Sequence, residues 1–323
     1  MDTTKVNVLY IGTLNEAQRK RIESAAPDIA LHHALKPGEV GEIISEVDVV
    51  AAPMVYFPRD LFLRATNLKW LHALSAGVDA MLHPELIASD VQLSNSRGVF
   101  DTPVSEHAFT LLAALTRELP HYARNQRMGQ WKRGPASEME GKTIGIIGLG
   151  SIGRVIARKA KLAFGMKVMA TQKPLNQIEP DVDVLLPAEE LDTLLQTADY
   201  VVVTAALTEA TTGLIGAREL RLMKPTAYLV NIARGKIIQN EALIQALREG
   251  WIAGAGLDVT DPEPLPPDSE LWELDNLILT PHIASVTDPV LTSERMTTVF
   301  LENLQCYLKG EPLPTSVDKE RRY

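Results

Sequence analysis

The sequence predicts an α/β protein built from two doubly wound parallel-sheet domains. Three observations lead there. At 323 residues the chain is long for one hydrophobic core, and chains of this size divide into domains. Short apolar runs alternate with helical stretches along most of the length, which is the pattern of strand–helix–strand units. The run Gly141-Lys-Thr-Ile-Gly-Ile-Ile-Gly-Leu-Gly-Ser-Ile-Gly153 reads as a strand, a tight glycine turn and the start of a helix.

Taken in order, the first hundred residues place strands at 6–11, 29–33, 47–51, 68–74 and 91–94, with helices at 16–25 and 38–45. A long helix at 103–117 carries Val104, Ala108, Leu111, Leu112 and Leu115 at helical spacing. A polar segment containing Trp131 joins it to the glycine turn. The strand at 143–147 is followed by a helix at 154–163 with Val155, Ile156 and Leu162 on its apolar side. Strands at 168–170, 200–204, 227–231, 253–259 and 277–280 alternate with helices at 191–198 and 241–249, and an amphipathic helix at 289–309 closes the series. The expected boundaries are a smaller domain of residues 1–101, completed by 289–323 as the chain returns, and a larger domain of 102–288.

Composition narrows the function. The hydrophobic fraction is 46% and the charged fraction 23%, ordinary for a soluble globular protein. A net charge of −9 argues against a general nucleic-acid or anionic-membrane surface. The single cysteine, Cys306, excludes an internal disulfide and a cysteine-rich zinc site. No secretory signal and no apolar run of membrane-spanning length is visible, so a cytoplasmic protein is expected. The histidines lack metal-ligand spacing. His32 and His33 are adjacent on a strand and face opposite ways. His107 on the long helix, beside Glu106, reads as a packing residue, with a place near the cleft as the alternative. No catalytic metal is expected.

Each fingerprint glycine has a physical task. Gly148 allows the tight turn, Gly150 lets a pyrophosphate approach the backbone, and Gly153 lets the helix pack against the strand. The helix N-terminus then offers free N–H groups to the anion. Dinucleotide binding is the expectation. Three later segments put polar residues at strand-to-loop junctions: Val230-Asn-Ile-Ala-Arg-Gly235, Leu257-Asp-Val-Thr-Asp-Pro-Glu-Pro264 and Leu279-Thr-Pro-His-Ile-Ala-Ser285. In open α/β sheets ligands bind beyond the carboxyl ends of strands, where Arg234, Glu263 and His282 fall. Arginine holds a carboxylate or polarises a carbonyl. Histidine passes a proton to or from a substrate oxygen, and a carboxylate on its far nitrogen would fix the ring and favour its charged form. That chemistry suits hydride transfer.

On these residues the sequence resembles the D-isomer-specific 2-hydroxyacid dehydrogenases, over almost the whole chain. The resemblance is densest at 69–77, 95–117, 141–153, 207–216 and 222–282. It implies a Rossmann-type dinucleotide-binding domain beside a smaller, flavodoxin-like substrate domain, with a cleft between them. It further implies Arg234, Glu263 and His282 as catalytic residues, and Gly148, Gly150, Ser151, Ile152, Gly153, Ala205, Ile232 and Asp258 as cofactor contacts. For Asp258, turn formation is a rival role. The loop Ser75-Ala-Gly-Val-Asp79 would take the substrate carboxylate on the N–H groups of Ala76 and Gly77. A homodimer using the stretch around 121–132 is implied, as are glyoxylate- or hydroxypyruvate-sized substrates.

One departure bears on the cofactor. NAD-specific proteins place an acidic residue roughly 20 residues after the fingerprint. Here that position is Gln172, followed by Lys173. A carboxylate would repel a 2′-phosphate, whereas a neutral glutamine beside a lysine does not. NAD(P)(H) is therefore expected, with NADP(H) favoured or both tolerated. Two alternatives share the scaffold: an enzyme oxidising formate or phosphite, and a non-catalytic nucleotide-sensing interaction protein.

Overall fold

The computed structural model describes residues 5–134, 136–172 and 179–323. The chain divides into two compact units, Met1–Phe100 with Thr287–Tyr323, and Asp101–Val286.

The first unit runs β1 (Val6–Ile11), α1 (Glu16–Glu23), β2 (Ile29–Ala34), β3 (Val49–Ala52), α2 (Arg59–Arg64), β4 (Trp70–Ala73), α3 (Pro84–Ala88) and β5 (Gln92–Asn95). Its described strands are parallel, in the order β2-β1-β3-β4-β5. The order reverses between β1 and β3, the switch point of the flavodoxin-like arrangement. Apolar residues cover both sheet faces. Leu9, Ile11, Val50 and Leu71 pack on one side, and Val8, Tyr10, Val49 and Trp70 on the other. A strand buried on both faces reads as a continuous apolar run, which is why β3 is Val-Val-Ala-Ala.

The second unit contains α4 (Asp101–Thr116), α5 (Leu119–Arg127), β6 (Thr143–Ile147), α6 (Ser151–Phe164), β7 (Lys167–Gln172), β8 (Val184–Pro187), α7 (Leu191–Thr197), β9 (Tyr200–Val203), α8 (Ala217–Leu222), β10 (Tyr228–Asn231), α9 (Asn240–Glu249), β11 (Gly254–Leu257) and β12 (Leu277–Leu279). The described strands are again parallel, in the order β12-β11-β10-β9-β6-β7-β8. That is the doubly wound dinucleotide-binding order with one added strand, and its reversal lies between β6 and β9.

After this unit the chain returns to the first through α10 (Pro289–Lys309). Asp288 caps α10 by accepting from Val290 and Leu291 N–H, both at 2.9 Å. Gly310 ends it in the left-handed conformation. Phe300 of α10 stacks on Trp70, ring centroids 5.4 Å apart, which seals the second face of the first sheet.

Several expectations need correction. Residues 38–45 form two 3-10 turns, Pro37–Glu39 and Gly41–Ser45, rather than one helix, because Gly38 and Gly41 interrupt so short a stretch. The segment before the glycine turn contains α5, whose polar composition hides it from a search for apolar periodicity. Strand β8 and the short helices α2, α3 and α8 also went unread. On α6 the buried face is Gly153, Ile156, Ala157 and Ala160, at i, i+3, i+4 and i+7 spacing. Leu162 falls off that stripe and is 69% exposed.

Candidate active site

The chemistry-bearing residues of the second unit collect at the carboxyl ends of its strands. At the switch point, Gly148 has φ +92°, and a Cβ there would lie 2.6 Å from Ala205 Cα. Only glycine permits this approach of the β6 turn to the β9 end. The hydroxyl of Thr204 donates to the Gly148 carbonyl and pins the same contact. At Gly153 a Cβ would meet the Gly148 carbonyl at 2.7 Å, whereas at Gly150 nothing lies within 4 Å. The open face at Gly150, at the N-terminus of α6, is the cradle a pyrophosphate needs. Ser151 opens that helix and donates to Asp101 Oδ1 at 3.0 Å. Ile152 is half-buried beside it, Ala205 is half-buried at the β9 end, and Ile232 is buried after β10.

Gln172 ends β7, and its Oε1 is buried with no hydrogen-bond partner among the described residues. A buried polar atom without a partner is costly, and a ribose at the strand end would satisfy it. These features fit a dinucleotide. Lys173, the neighbour expected to attract a 2′-phosphate, lies outside the described residues.

A histidine–glutamate pair stands in the segments that follow β11 and β12. His282 Nδ1 lies 2.8 Å from Glu263 Oε2, and both side chains are partly exposed, at 46% and 38%. The other carboxylate oxygen of Glu263 accepts from Thr260 N–H at 3.0 Å, which orients the carboxylate. With Nδ1 donating to Glu263, Nε2 is the nitrogen left for a substrate. Arg234 follows β10. One of its nitrogens, Nη1, donates to the Ala233 carbonyl at 2.7 Å, and the side chain is half-buried. Gly235 explains how these loops meet: a Cβ there would sit 2.1 Å from the Thr260 carbonyl. Arg234 and the Thr260–Glu263 loop are thereby tied through a contact that only glycine allows.

Asp258 is 1% exposed. Its Oδ1 accepts from Thr280 Oγ1 at 2.7 Å and Ile283 N–H at 2.9 Å, and its Oδ2 from Ala284 N–H at 2.9 Å. Both carboxylate oxygens are thus engaged by the chain itself, around the loop that carries His282. His107 departs from the packing role expected of it. Its Nε2 lies 2.9 Å from Thr280 Oγ1 and 3.3 Å from Asp258 Oδ1. Neither His107 nor Thr280 stands out in the sequence, because their meeting is made by tertiary structure across 173 residues.

In the first unit, the loop after β4 has its carbonyls occupied from within. Ser96 N–H donates to Ser75 O at 3.0 Å, Asn95 Nδ2 to Ala76 O at 2.6 Å, and Ser75 Oγ to Gly77 O at 2.7 Å. The peptide planes at Ala76 and Gly77 are therefore fixed. On β4, before this loop, His72 is fully buried, with Nδ1 2.7 Å from Ser94 Oγ. Burial drives its pKa down to about 3.

Among the described residues, no group of three or more His, Cys, Asp or Glu is arranged to hold a metal, and no helix is long and apolar enough to cross a membrane.

Comparison with known proteins agrees with this geometry. Residues 109–284 match the family described as D-isomer specific 2-hydroxyacid dehydrogenase, NAD binding domain. A glyoxylate reductase of Thermococcus gammatolerans is 41% identical over 273 residues, covering 81% of this chain and 79% of the relative. A D-isomer specific 2-hydroxyacid dehydrogenase family protein of Aeromonas salmonicida superposes with TM-score 0.85 at 32% identity, over 98% of this chain and 100% of that one. A D-isomer specific 2-hydroxyacid dehydrogenase of Xanthobacter autotrophicus, solved with NADPH and MES, superposes with TM-score 0.84 at 29% identity, over 99% of this chain and 100% of that one. With the doubly wound sheet, the glycine cradle and this match over more than half its length, the chain belongs to the D-isomer specific 2-hydroxyacid dehydrogenase family and is an NAD(P)-dependent oxidoreductase.

Proposed function

We propose that this protein reduces small 2-oxoacids, glyoxylate and hydroxypyruvate foremost, to the corresponding 2-hydroxyacids, with NADPH preferred over NADH. The observation that carries the reading is the 2.8 Å contact of His282 Nδ1 with Glu263 Oε2, in the unit that carries the glycine cradle. Reduced nicotinamide, when bound, supplies the hydride that reaches C2. His282 gives its Nε2 proton to the oxygen that becomes the hydroxyl. Glu263 holds Nδ1–H, orients the ring and stabilises its charged form. Arg234 orients the substrate's carbonyl and carboxylate by paired hydrogen bonds. Ala76 and Gly77 take the carboxylate on backbone N–H groups, so the first unit is read as the substrate domain and the second as the cofactor domain.

For the cofactor, Gly148, Gly150, Ser151, Ile152 and Gly153 hold the pyrophosphate side, and Ala205, Ile232 and Asp258 lie toward the nicotinamide. Gln172 would meet the adenosine ribose, and Lys173, outside the described residues, is the cation the sequence offers to a 2′-phosphate. The preference for NADPH rests on Gln172, where an acidic residue would repel a 2′-phosphate, and the Xanthobacter relative solved with NADPH supports it. Size follows the glyoxylate reductases among the relatives. A homodimer through the segment around 121–132 is part of the same reading. It is supported by Leu119, Met128 and Trp131, exposed at 53%, 60% and 100%, which leave apolar surface uncovered on the single chain.

The test is the oxidation of NADPH and of NADH, followed by absorbance, with glyoxylate, hydroxypyruvate, pyruvate and bulkier 2-oxoacids. Turnover with the two small acids, stronger with NADPH, is expected. Turnover only with NADH would remove the Gln172 argument and keep the enzyme. Cofactor binding without turnover of any 2-oxoacid would overturn the assignment.

A further inference from the structure

We propose that His107 is a positioning residue for the proposed proton carrier: it tethers the Asp258 carboxylate that holds the His282 loop. This inference rests on the reading of His282 given above.

Thr280 has one hydroxyl hydrogen, and it goes to Asp258 Oδ1 at 2.7 Å. His107 Nε2, 2.9 Å from the same hydroxyl oxygen and 3.3 Å from Oδ1, must therefore be the donor. The ring carries its proton on Nε2 and reaches both oxygens. Asp258 is almost wholly buried, and His107 is its ion-pair partner among the described residues. A buried carboxylate needs every donor it can gather, and losing one costs more than an exposed bond would.

What Asp258 does with those donors connects His107 to the chemistry. Its carbonyl accepts His282 N–H at 2.8 Å, and its carboxylate accepts the next two N–H groups, of Ile283 and Ala284. Between these bonds His282 sits at φ +54°, a left-handed conformation that non-glycine residues adopt only where the surroundings over-determine it. His107 on α4 and Thr280 after β12 hold Oδ1 of the same carboxylate that accepts the loop N–H groups. The imidazole of His282 is aimed by a backbone held in place this way, and Glu263 fixes its ring rotation. No hydrogen bond or ion pair joins His107 to Glu263 or His282, so its effect passes through the loop.

The test uses the full-length protein and three variants. His107→Leu removes the donor. His107→Asn keeps an amide too short to reach Thr280. His107→Gln places an N–H near the position of Nε2. Steady-state glyoxylate reduction, NADPH affinity by fluorescence, thermal midpoint and amide exchange of the 280–286 peptide are measured for each. We expect kcat to fall about 10- to 100-fold in His107→Leu and His107→Asn, with KM for glyoxylate and NADPH affinity within about twofold of wild type, faster exchange at 280–286, and most of the kcat restored in His107→Gln. Unchanged kcat and unchanged 280–286 exchange in the two loss variants would overturn the proposal. So would losses that follow the thermal midpoint alone, or an equal loss in His107→Gln. If the wild-type protein reduces no 2-oxoacid, the reading of His282 fails instead, and the exchange measurement still decides whether His107 holds the loop.

Discussion

Two histidines near the carboxyl ends of the two sheets are used in opposite ways. His72, on β4 of the first unit, is fully buried, is bonded to Ser94 and has no carboxylate partner among the described residues. Burial keeps it neutral down to about pH 3. His282, after β12 of the second unit, is partly exposed and faces Glu263 at 2.8 Å. On the proposed reading of His282, the difference marks what a proton-carrying histidine needs beyond its identity. Identity and strand-end position are shared, whereas access to solvent and a carboxylate on the far nitrogen are not. His72 serves as a fixed hydrogen-bonding partner of Ser94 and Ser96.

Replacing each partner sharpens the contrast. His282→Ala should lower kcat for glyoxylate by about 10²- to 10⁴-fold while NADPH affinity stays near wild type. Kinetics and fluorescence titration read the two effects separately, and unchanged turnover would remove His282 from the chemistry. Glu263→Gln keeps the size and loses the charge, and kcat should fall by about 10- to 100-fold. An equal loss on mutating an exposed surface glutamate would break the pairing argument.

The glycine cradle gives a third comparison. Gly148→Ala puts a Cβ against the Ala205 backbone at positive φ, and should cost about 1–3 kcal/mol of stability together with weaker NADPH binding. Thermal unfolding and titration read both.

Acid tests the buried histidine. The folded state keeps His72 neutral to about pH 3, while the unfolded chain takes up the proton near the ordinary value of 6.5. The unfolded state therefore binds more protons between those values, and stability falls as pH drops from 6.5 toward 3, by up to about 1.4 kcal/mol per pH unit from this group. His72→Leu should flatten that part of the denaturant-unfolding profile, and an unchanged slope would contradict the burial argument. The smallest effect is at Gln172. Gln172→Asp should shift preference toward NADH by about tenfold, or 1.4 kcal/mol, read as the ratio of kcat/KM for the two cofactors.

Much of this was legible in the sequence for a local reason. The Gly148–Gly153 spacing, the apolar run of β6 and the Arg-Gly pair at 234–235 each carry their meaning within a few residues, because the backbone demands glycine at those close approaches. The bounds expected for α10 from its amphipathic pattern, 289–309, are those observed, with Asp288, Pro289 and Gly310 at its ends. The parts that stayed hidden depend on distant contacts. Strand β8 is only four residues long and pairs with β7 across the stretch outside the described residues. Helix α5 buries only Asn125, so no apolar stripe announces it. His107 looked like a packing residue because nothing near it in sequence names Asp258 and Thr280 as partners. The left-handed backbone of His282 likewise has no signature in Thr-Pro-His-Ile.

The most direct measurement is the fate of the hydride. The wild-type protein would be given glyoxylate with NADPH carrying deuterium at one or the other C4 position, and the product examined by mass spectrometry. One deuterium is expected at C2 of glycolate from one of the two labelled cofactors, accumulating about 10²- to 10⁴-fold more slowly with His282→Ala. Glycolate formed without deuterium from either label, or no glycolate from the wild-type protein, would contradict it.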